Sequence, residues 1–310
     1  MRDDKRKVVL VGVGRVGASY AYTLLNQNLC DELVLIDVNR QRAEGEAMDL
    51  NHGLALAPSS VHIYAGAYSD CQDADLVVLC AGVPQNPGES RLELLRQNAD
   101  IYRQIIPALM ASGFHGLLLV AVNPVDVMTR FIRQLSGLPE SRVFGSGTVL
   151  DTARLRFLLG RYFQVDPRNI HAYVVGEHGD SGFVPWSQAM VAVKPVKDCL
   201  EESGGRFTWE ALEDISRQVR DSAQAIIQAK GATYYGIGIV LARITRAVLE
   251  DENSVLTLSA ALPGGLYAGM PCIVNRQGVR DLLNLPLSAE EKSRFEDSLT
   301  VLEEAGRSLH

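Results

Sequence analysis

Of the six histidines in the 310-residue chain, one stands in a setting suited to proton transfer. His178 lies in GEHGDS (176–181), a Gly-flanked loop that follows an apolar run. An imidazole titrates close enough to neutrality to give and take the proton of an alcohol/ketone pair; taken alone, such a residue is as readily structural. Asp151 and Arg154, in LDTARLRF (150–157), are three apart and share a face if the segment is helical. They could form an intrahelical ion pair worth about 0.3–0.5 kcal/mol, or the guanidinium could offer a two-donor fork to a substrate carboxylate. Arg91 ends AGVPQNPGESR (81–91), whose Gly, Pro and Asn residues suit a lid that closes over a substrate.

A second set of residues points to a dinucleotide. VVLVGVGRVGASYAYTLL (8–25) reads as a strand, then Gly12-x-Gly14-x-x-Gly17, then a helix. Gly12 permits the tight turn, Gly14 lets the backbone approach a pyrophosphate, and Gly17 allows close helix–strand packing. The helix N-terminus supplies free N–H groups and partial positive charge. Asp37 ends the next strand, LVLID, 20 positions past Gly17. A carboxylate there bonds the adenosine ribose hydroxyls and repels a 2′-phosphate, which favours NAD over NADP.

These residues need elements to hold them. In the first half, short apolar runs at 7–11, 33–36, 61–65, 76–80, 117–122 and 142–144 alternate with amphipathic helical segments, notably 91–110. That pattern predicts an α/β fold, a Rossmann doubly wound parallel sheet of two mononucleotide-binding halves. The second half reads as an α+β substrate and catalytic domain. It has helices at 150–163, 209–227, 234–249 and 288–308, the last opening on the capping-box pattern SAEE. Its strands are expected at 170–175, 255–261 and 271–275. The boundary is placed at 145, giving a domain of 1–145 and one of 146–310.

Composition narrows the function classes. Hydrophobic residues make up 47% and charged residues 22% of the chain, the balance of a globular protein. Lys and Arg number 30 against 37 Asp and Glu, a net charge of −7 with no basic cluster, which disfavours a nucleic-acid or membrane-surface partner. Five scattered cysteines without a C-x-x-C pair suggest reduced thiols rather than disulfides or a zinc site. No signal peptide and no span of ~20 apolar residues is seen, so a soluble, cytoplasmic protein is expected.

With the glycine motif, the segments AGVPQNPGESR, VNPVDV (122–127), LDTARLRF and GEHGDS together closely resemble the bacterial L-lactate dehydrogenases of the lactate/malate dehydrogenase family, in order along nearly the whole chain. The resemblance implies reversible NADH-dependent reduction of pyruvate to L-lactate, with no metal. It places Asp151 against His178, where a carboxylate would fix the ring and raise its pKa. It assigns Arg154 to the substrate carboxylate and Arg91 to the carbonyl oxygen. Gln85 stands where malate dehydrogenases carry a cation for a second carboxylate; a neutral amide there, with Glu89 nearby, favours pyruvate. Thr233, in KGATYYGI, lines the substrate pocket by the same resemblance. Asn123 lies near the substrate oxygen, and Ala121, Val122 and Asn123 lie along the cofactor. Val16, Arg42, Tyr68, Gly82, Val83, Gln104 and Ser146 match weaker cofactor contacts.

Arg156, two residues past Arg154, points to roughly the opposite side of its helix. By resemblance it joins His171 at a subunit interface to bind fructose 1,6-bisphosphate as activator of a homotetramer. LPGGLYAGM (262–270) is several residues shorter than the family's usual hairpin. The alternatives are a malate dehydrogenase, an NAD-using glycosidase, which would need a metal, and a non-catalytic NAD-binding protein.

Overall fold

The computed structural model describes residues 5–83 and 91–309, with Arg91 described by its backbone alone. Six short strands open the fold: β1 (Lys7–Val11), β2 (Glu32–Ile36), β3 (His62–Ala65), β4 (Leu76–Leu79), β5 (Leu117–Val120) and β6 (Val143–Gly145). They pair in parallel in the order β3-β2-β1-β4-β5-β6, the Rossmann arrangement whose strand order reverses between β1 and β4. Their side chains alternate between two buried faces. Val8 and Leu10 of β1 join a core with Tyr20 and Leu24 of α1 (Arg15–Gln27). Val9 and Val11 face the other core, with Leu95, Tyr102 and Ile106 of α3 (Arg91–Met110). Between these helices along the chain lies α2 (Arg40–Gly53), and α4 (Val125–Ser136) follows β5.

The second half begins with α5 (Val149–Phe163) and a small antiparallel sheet of β7 (Ile170–His171), β8 (Met190–Val191) and β9 (Lys194–Pro195). Next come α6 (Val196–Glu202), α7 (Trp209–Lys230) and α8 (Tyr235–Leu249). Three antiparallel strands, β10 (Ser254–Ala261), β11 (Tyr267–Asn275) and β12 (Gly278–Leu282), then extend the first sheet to nine strands. The join is at β6, where Ser259 stands opposite Gly145. Last is α9 (Ala289–Arg307), whose capping box is formed by Ser288 and Glu291, as its sequence predicts.

Two strands depart from expectation. The strand expected over 170–175 stops after His171, because side chains take the backbone groups that a ladder would have used. Thr148 Oγ1 donates to the Val174 carbonyl (2.6 Å), Thr152 Oγ1 accepts the Val174 N–H (3.0 Å), and Arg156 Nε donates to the Ala172 carbonyl (3.1 Å). In the other case β11 begins at Tyr267 rather than 271, since the connection from β10 closes tightly. Leu262 N–H donates to the Leu266 carbonyl (2.7 Å), across Gly264 and Gly265 at φ 96° and 82°. β12, with charged Arg280 and Asp281, has no strand signal in the sequence. Among the described residues no helix is long and apolar enough to cross a membrane.

Candidate active site

The site is built on the first turn of α5. Thr148 and Thr152 tie that turn to the segment ending at Val175, which pairs with Phe183 through both backbone hydrogen bonds (2.9 and 3.0 Å) and so closes the 176–182 loop at its base. Three other elements fasten the loop. Gly176 exchanges backbone bonds with Gly269 of β11 (2.9 and 2.7 Å). Glu177 N–H donates to Ser298 Oγ of α9 (2.8 Å), and His178 N–H donates to Asp126 Oδ2 of α4 (2.8 Å). Gly176, at φ 89°, is required because a Cβ would lie 2.6 Å from Ser298 Oγ.

So held, the His178 ring meets the side chains that the resemblance assigns to it. His178 Nδ1 lies 2.6 Å from Asp151 Oδ2, and Asp151 Oδ1 accepts from Arg154 Nη1 at 3.0 Å. This is no surface ion pair: Asp151 and Arg154 side chains are each 13% exposed, and that of His178 is 29% exposed. Burial pulls the imidazole pKa down. The charge and hydrogen bond of Asp151, helped by the charge of Asp126, outweigh it and hold His178 up to about 9. Burial pushes Asp151 up, yet the His178 and Arg154 charges keep it below its usual range. The result is an imidazolium whose Nε2 can donate a proton, braced by a carboxylate that also orients a guanidinium. Arg154 keeps further N–H donors for a ligand carboxylate.

Asp126 is a residue the sequence reading missed. It is 2% exposed, and among the described residues its Oδ1 has no hydrogen-bond partner. Burial raises its carboxyl to about 6, partly offset by the nearby Ser259 hydroxyl and by the His178 N–H that it accepts. Its place in VNPVDV reads as an ordinary helix-start acid, and nothing local shows a loop 52 positions away docking on it.

At the dinucleotide end, Gly12 (φ 95°) brings its backbone against Ala81, where a Cβ would lie 2.3 Å from the Ala81 nitrogen. Gly17 packs on the Gly12 carbonyl, leaving 2.1 Å for a Cβ. At Gly14 a Cβ would meet nothing within 4 Å, and the α1 N-terminus has no side-chain cap. That open, uncapped turn is what a pyrophosphate needs. Asp37 accepts the Val13 N–H on Oδ2 and the Asn39 N–H on Oδ1, both at 2.9 Å, which aims its carboxylate and leaves lone pairs for ribose hydroxyls. These residues fit NAD.

The other expected cofactor positions are spread around this turn. Val16 is half-buried in the first turn of α1, and Arg42 is exposed at the start of α2. Tyr68 is half-buried; burial, with Cys71 and Asp37 nearby, holds its phenol above the usual value. Ala121 donates its N–H to Leu79 and Ser146 to Val120, both at 2.9 Å, at the ends of β5 and β6. Val122 is buried against Gly82. Gln104 is exposed, two residues past the buried Tyr102 and so on the opposite side of α3.

Asn98 of α3, also unforeseen, joins three of these positions. Buried to 1% exposure, it accepts the Val83 N–H on Oδ1 (3.0 Å), donates to the Asn123 carbonyl (2.8 Å), and packs on Gly82. Thr233 is half-buried between α7 and α8. Three residues on, Gly236 abuts Leu150, leaving 3.1 Å for a Cβ, so the start of α8 stands beside the start of α5. Gln85, Glu89 and the side chain of Arg91 lie outside the described residues.

On the far side of α5, half-buried Arg156 stacks over Tyr173 (5.1 Å) while bonding the Ala172 carbonyl. Ala172 follows the exposed His171, so these two cationic candidates are neighbours.

Residues 6–145 match the lactate/malate dehydrogenase NAD-binding domain, and residues 148–307 match the lactate/malate dehydrogenase alpha/beta C-terminal domain. The chain is 52% identical over 308 residues to an L-lactate dehydrogenase of Geobacillus sp. (strain WCH70), covering 98% of this chain and 96% of that protein. It is 53% identical over 301 residues to the L-lactate dehydrogenase of Geobacillus stearothermophilus, covering 96% and 95%. Among solved structures it is similar to MGS-M5, a lactate dehydrogenase from a Medee basin deep-sea metagenome library, with TM-score 0.95, 48% identity and 99% of each chain covered. The ligand-bound minor L-lactate dehydrogenase of Enterococcus mundtii superposes with TM-score 0.96 at 45% identity, again over 99% of each chain. Both halves of the sheet and both ends of the site thus agree: the chain belongs to the lactate/malate dehydrogenase family of NAD-dependent oxidoreductases.

Proposed function

We propose that this chain is an L-lactate dehydrogenase that reversibly reduces pyruvate to L-lactate, works in the cytoplasm as a homotetramer, and is activated by fructose 1,6-bisphosphate. The observation that carries the catalytic reading is the Asp151 carboxylate held between His178 (2.6 Å) and Arg154 (3.0 Å). The names of the curated relatives support the same substrate pair.

NADH, when bound, supplies the hydride. Arg154 grips the pyruvate carboxylate by its remaining N–H donors and aligns the keto group with the imidazole. His178 gives its Nε2 proton to the carbonyl oxygen as the alcohol forms and takes it back in the reverse direction. Asp151 fixes the ring and stabilises its cationic form. Arg91 is assigned by the resemblance to the carbonyl oxygen, where a guanidinium stabilises the charge that develops there. Gln85, neutral where malate dehydrogenases of the family carry a cation, offers no charge to compensate a second substrate carboxylate. Asn123 lies near the keto oxygen and Thr233 against the substrate. Gly12, Gly14 and Gly17 seat the pyrophosphate and Asp37 the adenosine ribose, within a cofactor-binding unit of 1–145; 146–310 form the catalytic unit.

Arg156 and His171 on the far side of α5 support a bisphosphate site shared with a second copy. Exposed Tyr22, Met48 and Ile239 on α1, α2 and α8 support an interface between copies. The test is a panel of 2-keto acids assayed with NADH, with and without fructose 1,6-bisphosphate. Pyruvate is expected to exceed oxaloacetate in kcat/KM by roughly 100-fold or more, the several kcal/mol of an unpaired buried charge. A preference for oxaloacetate would overturn the substrate assignment.

A further inference from the structure

Two cations near the dinucleotide turn have no role so far. Arg15 is the first residue of α1, exposed, immediately after Gly14, and among the described residues it makes no ion pair. Its Nη1 lies 4.0 Å from where a Cβ on Gly231 would stand, so the guanidinium spans from the dinucleotide helix to the α7–α8 connection. Lys230, the last residue of α7, stands on the other side of that connection. Its ammonium sits 3.6 Å from the Tyr234 ring centroid and 4.2 Å from that of Tyr235. The Lys230 hydrogen bond, with the Arg15 charge adding to it, holds the Tyr234 phenol below its usual value, so both cations act on one side chain. Lys230 likewise has no carboxylate partner among the described residues.

The short segment between them carries Thr233. It is anchored behind, where Gly238 packs so closely on Ser19 of α1 that a Cβ would lie 3.0 Å from it. Arg15 and Lys230 thus act on one side chain beside the α7–α8 connection, and Arg15 itself opens the uncapped α1 N-terminus; like charges so placed repel each other until an anion lies between them. The anion that this turn accommodates is the cofactor's pyrophosphate. We infer that Arg15 and Lys230 form a cationic latch on the phosphates of the bound dinucleotide, drawing the 231–234 connection down and setting Thr233 in place before the keto acid enters. The latch rests on the NAD reading and deepens it: Gly14 and the helix N–H groups seat the phosphates, and the latch couples that event to the substrate pocket through the backbone that carries Thr233.

The test measures NADH binding by its own fluorescence at low and high ionic strength, in wild type, Arg15→Gln, Lys230→Gln and the double variant. Adenosine serves as the phosphate-free probe. Hydrogen exchange of residues 231–235 is followed with and without NADH. Arg15→Gln is expected to raise the NADH Kd about tenfold, the loss of one charge-assisted contact, and to flatten its salt dependence, while the adenosine Kd stays put. NADH should protect residues 231–235 in wild type and fail to do so in the double variant. Variants that keep wild-type NADH affinity and protection overturn the latch while leaving the nucleotide site intact. An equal loss of adenosine binding also overturns it, by showing general damage to the domain. A wild-type protein that does not bind NADH overturns the cofactor reading itself.

Discussion

His178 is held protonated against its own burial, and Asp151 is the reason. The free enzyme therefore carries the imidazolium below about pH 9 and loses it above. The kcat/KM for pyruvate reduction is expected to be level through neutrality and to fall about tenfold per pH unit beyond that value. A raised histidine pKa also contributes stability in full below the ordinary 6.5, and that contribution is lost as pH rises through about 9. Asp151→Asn leaves a buried ring with only the weaker influence of Asp126, so the alkaline limb should move down from about 9 toward the ordinary 6.5. Activity at pH 7 should fall by roughly 10²–10⁴, and His178→Asn should lower it by a similar factor; steady-state kinetics across pH checks both. A noncatalytic NAD-binding protein would show neither change.

At the scale of elements, the site depends on side chains that staple one element to another. Asn98 joins α3 to the chain after β4 and to the chain after β5 through two backbone groups. Asn98→Ala should cost about 1 kcal/mol in urea unfolding and weaken NADH binding, since it removes the partner of the Val83 N–H and of the Asn123 carbonyl. Much of the frame was legible beforehand: β1 and α3 stand at the bounds their apolar periodicity predicts, and SAEE opens α9. The pairing of His178 with Asp151 came from motif order, not from anything local to either residue. Asn98 and Asp126 were invisible for a related reason. Each looks like a routine polar residue on a helix, and its purpose depends on backbone that arrives from far along the chain. The 170–175 segment shows the same limit, since its β-rich composition is overridden by hydroxyls of α5 that satisfy Val174 from outside.

For the whole molecule, α5 presents Asp151 and Arg154 to the His178 loop and Arg156 to the segment behind it. Fructose 1,6-bisphosphate is expected to lower the apparent KM for pyruvate and shift dimers toward tetramers, effects that Arg156→Gln should abolish while leaving unactivated turnover in place. Kinetics paired with analytical ultracentrifugation reads both; an unchanged KM and assembly state would remove the regulatory proposal and leave the chemistry standing. The Asp151 bridge has one more outcome, visible to the surrounding solution. His178 and Arg154 share the Asp151 carboxylate, and a monocarboxylate guest brings a further anion to the same two cations. Above about pH 9 the imidazole is neutral, so an unreactive pyruvate analogue recruits a proton as it docks. Calorimetric titrations near that pH, run in two buffers of different ionisation enthalpy, should register the uptake as a gap between their apparent heats.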